Sequence, residues 1–183
     1  STSRGLGDVY KRQLLWCLFA VMLQAARVDT VLVRSAAMNK DVKVVYVLPD
    51  KAIGKQACPV VYLLHGYGGN ARSWVQLKPE LPQMADEKGI IFVCPDGKNS
   101  WYWDSPENPA YRYETFVTSE LVKYTDGNYA TIPDRKARAI SGLSMGGHGA
   151  LWSAIRHKDV FGAAGSMSGG VDIRPFPQNW EML

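Results

Sequence analysis

The stretch Ala139–Leu151, AISGLSMGGHGAL, decides how the rest of the chain is read. It runs from a strand-like segment (Ala137–Ser141), through Gly142-Leu143-Ser144-Met145-Gly146, into a helix-like segment (Gly146–His157). A G-x-S-x-G pattern between a strand and a helix is the signature of a turn that lifts a serine hydroxyl to the C-terminal edge of a sheet. The turn is sharp enough to strain the backbone at Ser144, and glycines two residues away on either side let strand and helix approach closely. The positive end of the following helix then faces the hydroxyl. Ser144 is the candidate nucleophile, and the backbone N–H of Met145 a candidate oxyanion donor.

Upstream, Val60–Leu64 (VVYLL) and Ile90–Cys94 are uninterrupted apolar runs, as expected of strands buried on both faces. The first ends in His65-Gly66-Tyr67-Gly68-Gly69. Glycines at the C-terminal edge of a strand expose backbone N–H groups, which makes Tyr67 the candidate second oxyanion donor. Thr30–Arg34 and Val42–Leu48, separated by the turn-like Met38–Asp41, read as an antiparallel hairpin. Pro79–Lys88, stopped by Gly89, reads as a short helix. Glu114–Tyr124 has helical spacing, with Phe116, Leu121 and Tyr124 on one side. Ala163–Met167 is a further strand. Alternating strands and helices predict one α/β domain with right-handed crossovers and a mostly parallel central sheet, preceded by the hairpin.

PVVYLLHGYGG, PDG followed by NSWYWDSP, YETF and AISGLSMGGHGAL stand here in the order found in an esterase family of α/β hydrolases. The chain resembles that family, which groups esterase D, S-formylglutathione hydrolases, feruloyl and acetyl-xylan esterases and mycolyltransferases, from about residue 30 to 172. The resemblance implies the α/β-hydrolase fold and a Ser–Asp/Glu–His triad without a cofactor or metal. By position it makes Ser144 the nucleophile and Tyr67 and Met145 the oxyanion donors. In this fold the acid and the histidine follow the serine. The family places them beyond Leu183, so the chain is read as a C-terminally truncated portion of the domain, with an incomplete sheet and no activity of its own.

The local alternatives for a base are poor. His157 lies thirteen residues along a helix from Ser144, about 20 Å away. His148 begins that helix and is expected to pack or cap there, and His65 to order the glycine loop. Asp172 follows a predicted strand, a position that holds the acid in some relatives of the fold. Glu114 reads as a capping carboxylate. The aromatic loop Lys98–Tyr111 leaves two readings open: Trp101, Tyr102 and Asp104 line an acyl or aryl pocket above Ser144, or they pack beneath a long loop.

The N-terminus carries no fold information. Ser3–Gln13 (SRGLGDVYKRQ) reads as a translated sequencing adapter, so residues 1–13 are set aside. Leu14–Leu23 (LLWCLFAVML) is uncharged and is followed by Gln24-Ala25-Ala26, which fits a signal-peptide core over 14–26 rather than a membrane span. Residues 27–183 remain as the hydrolase domain, exported to a periplasmic or extracellular location without a stable membrane anchor. The formal charge of +4 falls to +2 without the adapter, which gives no reason to expect nucleic acid. Cys58 and Cys94 sit at opposite ends of two strands expected to be neighbours, roughly 15 Å apart and beyond the ~7 Å reach of a disulfide, so both are expected as buried free thiols. The expected activity is hydrolysis of a carboxylic ester, small or polysaccharide-linked, such as an acyl or feruloyl group. Export argues against a cytosolic thiol ester. Acyl transfer to a sugar and a non-catalytic binding module are the alternatives.

Overall fold

The computed structural model describes residues 26–172 and 174. The adapter-like segment, Cys17 and nearly all of the signal-like segment lie outside them. Strands β1 (Arg27–Ser35) and β2 (Lys40–Leu48) form the expected antiparallel hairpin, with Arg27 opposite Leu48 and Ser35 opposite Lys40. Strands β3 (Val60–Leu64), β4 (Ile91–Pro95), β5 (Arg138–Leu143) and β6 (Ala163–Met167) complete a six-stranded sheet of order β1-β2-β4-β3-β5-β6. The pairs β3–β4, β3–β5 and β5–β6 are parallel, whereas β2 joins β4 antiparallel. β3 therefore lies between the strand that follows it and the strand after that, so the crossovers from β3 to β4 and from β4 to β5 run in opposite directions along the sheet. Right-handed connections then put their helices on opposite faces.

Both faces are covered accordingly. Short helices α1 (Asp50–Ile53) and α2 (Ser73–Leu77), together with α3 (Leu81–Lys88), precede β4. Leu81 and Ala85 of α3 pack with Val45, Val47, Leu63, Phe92 and Cys94 on one face. The long connection between β4 and β5 contains helix α4, which begins at Tyr113–Thr115, continues as a π-helical turn at Phe116–Glu120 and ends as Leu121–Asn128. Phe116, Val117 and Leu121 of α4 pack with Tyr46, Tyr62, Leu64 and Ile140 on the other face, where Met145 and Ala150 of helix α5 (Met145–Arg156) join them. The π turn explains the spacing of the apolar residues. At about 100° per residue, positions 116 and 121 would point about 140° apart in a regular α-helix. An i→i+5 turn adds a residue and returns both to the core side, where each is fully buried.

Cys58 and Cys94 are free and buried. They belong to the clusters on opposite faces of the sheet, so the sheet itself separates them. Among the described residues the sheet ends at β6, where Ala163, Ala164, Ser166 and Met167 are exposed.

Helix α5 is held at both ends. At its start, a Cβ built on Gly146 would stand 2.2 Å from the Leu64 carbonyl oxygen, and one on Gly142 would stand 2.3 Å from the Gly146 carbonyl carbon. Only glycines allow β3, β5 and α5 to meet this closely. At its far end, the buried Glu114 carboxylate accepts from Trp152 Nε1 at 2.7 Å, Arg156 Nε at 2.7 Å and His157 Nε2 at 2.8 Å. Burial works against the Glu114 charge, but Arg156, Trp152 and His157 outweigh it and hold the carboxyl below the usual glutamate range. The expected capping carboxylate is thus chiefly an anchor for α5, collecting two donors from the helix and one from His157, the residue that follows it.

Two predictions follow from this anchoring. Gly146→Ala is expected to cost about 3 kcal/mol or more, since backbone must move to admit a methyl group. Gly127→Ala, in α4 with nothing within 4 Å of the added carbon, is expected to gain about 0.5–1 kcal/mol. Equal effects in urea denaturation would refute the close-approach argument. Glu114→Ala is expected to cost about 1–3 kcal/mol at neutral pH. Because the folded Glu114 is the stronger acid, this difference is full above the unfolded glutamate value and shrinks as pH falls below about 4. A difference that grew on acidification would contradict it.

Candidate active site

The elbow forms as its sequence requires. Ser144 stands between β5 and α5 with φ 54° and ψ −117°, a conformation that costs a non-glycine residue on the order of 1–3 kcal/mol. Its N–H donates to the Met167 carbonyl at 2.8 Å and its carbonyl accepts the His148 N–H at 3.0 Å, so the turn is fixed from both sides. The side chain is exposed at the C-terminal edge of the parallel strands. Met145 is fully buried. As the first residue of α5, its N–H has no acceptor within the helix.

The glycine loop after β3 lies against the elbow: a Cβ on Gly66 would stand 3.6 Å from Ser144 Cβ. Gly66 carbonyl accepts the Gly69 N–H at 3.0 Å and faces His65 Nδ1 at 2.7 Å. That carbonyl and the Tyr67 N–H share one peptide plane and point in opposite directions. Holding the carbonyl on the His65 side thus aims the Tyr67 N–H away from it. The Tyr67 residue is 39% exposed, in keeping with a position at an open site.

The three histidines occupy three different environments. His65 is 2% exposed, and its Nε2 accepts the Gly97 N–H at 2.9 Å. With Nε2 an acceptor, Nδ1 carries the proton and donates to Gly66, so both nitrogens are committed to the loop. Asp96 Oδ1 stands 3.7 Å from Nε2, beyond hydrogen-bond distance. Burial disfavours the Asp96 charge, but the Lys98 backbone N–H and ammonium, each 3.0 Å from a carboxylate oxygen, outweigh it and hold the carboxyl well below the usual range. His148 packs among Trp101, Trp103 and Trp152, with ring centroids 5.4, 5.3 and 6.2 Å away. Its Nδ1 bonds the Gly170 carbonyl, and its buried Nε2 has no partner among the described residues. Burial lowers the His148 pKa, only partly opposed by Gly170, so the ring is neutral at neutral pH. His157 is bound to Glu114 at the far end of α5. Among the described residues, the structure thus brings no histidine to Ser144 as a base. Asp172 is paired with Arg174 at 2.7 Å.

The aromatic loop is corrected in two places. Tyr102, expected as a possible pocket wall, is fully buried: its hydroxyl accepts the His65 N–H at 2.9 Å, and its ring lies against Gly97 and Gly149. Asp104 accepts the Thr115 N–H at 3.0 Å and the Thr115 hydroxyl, which ties the loop to the first turn of α4. Both therefore serve packing beneath the loop. Trp101, 6% exposed, meets His148 edge-on. Sequence reasoning missed Asn99, whose Oδ1 accepts the Gly68 N–H at 2.8 Å. No local pattern marks such a contact, since it joins loops 31 residues apart.

Comparison with known proteins agrees with this geometry. The esterase family model, described as "Putative esterase", matches residues 35–181. The acetyl esterase of Caldicellulosiruptor saccharolyticus is 28% identical over 135 residues, covering 69% of this chain and 50% of that protein. The diacylglycerol acyltransferase/mycolyltransferase Ag85A of Mycobacterium gordonae is 34% identical over 155 residues, covering 79% of this chain and 43% of the relative. A solved ferulic acid esterase superposes with a TM-score of 0.69 at 32% identity, covering 79% of this chain and 61% of that one. The chain thus spans about half the length of these curated relatives. With a strained serine between β5 and α5, a glycine loop against it and a family model matched over most of its length, the chain belongs to the esterase family and has the α/β-hydrolase fold.

Proposed function

We propose that the protein is a serine carboxylic-ester hydrolase that works through an acyl-enzyme on Ser144. The observation that carries this reading is the strained, exposed Ser144 with the Gly66 loop packed against it. In the proposed mechanism Ser144 Oγ attacks the ester carbonyl carbon while a histidine takes its proton. The backbone N–H groups of Tyr67 and Met145 hold the oxyanion. Collapse expels the alcohol, which receives the proton, and water then releases the acid by the same steps. We assign the triad acid and histidine to sequence outside the described residues, because His65, His148 and His157 are each committed elsewhere.

The substrate we propose is an ester outside the cytoplasm, such as an acyl or feruloyl group on a polysaccharide. Support comes from the acetyl esterase and ferulic acid esterase relatives and from the uncharged Leu14–Leu23 run. We place the mature N-terminus at Ala26 or Arg27; in the first case the new ammonium group, on a nitrogen that lies 2.7 Å from Asp86 Oδ2, would meet a carboxylate. Among the described residues no helix is long and apolar enough to cross a membrane. Acyl transfer to a sugar is the second reading, favoured by the mycolyltransferase relative, and differs only in whether water or an alcohol intercepts the acyl-enzyme.

A fluorophosphonate probe is expected to label the full-length protein at Ser144. Ser144→Ala is expected to abolish labelling and to lower ester turnover by a factor on the order of 10⁶. The 183-residue chain alone is expected to hydrolyse p-nitrophenyl acetate no faster than its Ser144→Ala variant. Labelling that survives the substitution would overturn the assignment, and a full-length protein that neither labels nor turns over ester would point to a binding module. Turnover that rises with added sugar, with an acylated sugar as product, would favour transfer.

A further inference from the structure

Gly66–Gly69 forms a β-turn closed by the Gly69 N–H to Gly66 carbonyl bond at 3.0 Å, with Gly68 at φ 73°. A positive φ at the third position marks a type II turn. Types I and II differ chiefly by a flip of the central peptide, here the Tyr67–Gly68 unit, and isolated chains pass between them at little cost. In this protein one hydrogen bond opposes the flip. The N–H of that unit donates to Asn99 Oδ1 at 2.8 Å, and flipping it would bring the Tyr67 carbonyl oxygen toward the Asn99 oxygen. Tyr67 is therefore framed by two pinned peptides: one by its carbonyl, through His65 and Gly69, and the other by its N–H, through Asn99.

Asn99 is itself held firmly. Its loop carries three non-glycine residues at positive φ, Lys98 at 49°, Trp101 at 54° and Tyr102 at 60°. Strain of this kind persists only where surroundings over-determine it. Here Tyr102 supplies that: it is wedged against Gly97 and Gly149, where added Cβ atoms would lie 2.3 and 2.6 Å from its ring, and its hydroxyl grips the His65 backbone. The loop after β4 is thus a rigid template laid on the turn after β3.

We propose that Asn99 is a positioning residue for the oxyanion hole, bracing through the Gly68 N–H the Gly66–Gly69 turn that carries the Tyr67 N–H facing the reacting carbonyl. This rests on the esterase reading above. It assigns Asn99 no contact with substrate. Its contribution is to the transition state, where a donor displaced by a fraction of an ångström loses most of its effect, while ground-state binding is little changed.

The test is made on the full-length protein with Asn99→Ala, Asn99→Asp and Gly68→Ala. Asn99→Ala is expected to lower kcat about ten- to hundred-fold with KM within about twofold, and to weaken a boronic-acid inhibitor, whose tetrahedral adduct carries the oxyanion, by a similar factor. Asn99→Asp keeps an acceptor for the Gly68 N–H and is expected to retain kcat within about threefold of the parent. Gly68→Ala leaves Asn99 intact but disfavours the positive φ, and is expected to reproduce the kcat loss. An Asn99→Ala protein with unchanged kcat overturns the proposal. So does one in which kcat, KM and Tm change together and Asn99→Asp gives no rescue. Amide exchange at Gly68 keeps this separable from the esterase reading: Asn99→Ala is expected to speed it at least tenfold whether or not the parent hydrolyses esters, and unchanged exchange refutes the clamp outright.

Discussion

A strand must become a helix at Ser144 within a single residue, and the chain meets that demand by bringing three backbones into contact where side chains would prevent it. Gly146 lies against the Leu64 carbonyl and Gly142 against the Gly146 carbonyl. The reversal pushes Ser144 to φ 54°, and the bond from its N–H to Met167 keeps it there. Most of what surrounds the elbow either permits this approach or resists its relaxation. β6 supplies the Met167 carbonyl, the loop after β3 fills the space beside the serine, and Glu114 fastens the far end of α5 so that the helix cannot pivot away. The serine's position is thus a property of the whole sheet rather than of five residues.

The parts of this arrangement that depend on burial and backbone sterics were legible in the chain itself. VVYLL and IIFVC read as strands covered on both faces because unbroken apolar runs have no polar side to expose, and the two core clusters bear this out. G-x-S-x-G read as an elbow because glycine marks close approach. Two short helices, Asp50–Ile53 and Ser73–Leu77, escaped because one turn is too short to show a period. The helix at Glu114–Tyr124 was recognised, but its apolar pair at 116 and 121 is spaced for a π turn, and a reading based on 3.6 residues per turn cannot say so.

The polar side chains were harder, for a common reason. His65, His148 and His157 are the same residue type, yet one braces a loop, one sits in a tryptophan cluster and one anchors a helix. What separates them is the identity of distant neighbours, and no local pattern carries that information. Tyr102 and Asp104 were left with two readings for the same cause: an aromatic or acidic residue in a long loop looks alike whether it faces a ligand or the core. Asn99 opens the NSWYWDSP motif, but nothing in that motif marks its contact, since its partner is a backbone N–H on another loop.

The two cysteines carry a consequence of a different kind. Cys94 lies at the end of β4, fully buried, and burial drives its thiol far above its ordinary pKa. The thiolate is the form that attacks an alkylating reagent, so the folded sheet leaves the reagent almost nothing to react with. Alkylation at Cys94 must wait for β4 to part from its neighbours. The rate of that modification under native conditions is therefore a clock for the opening of the central sheet, built into the chain without any label. Cys58, on the other face near the start of β3 and less deeply set, supplies a second clock. Together they would tell whether the two layers of helices loosen as one body or in turn.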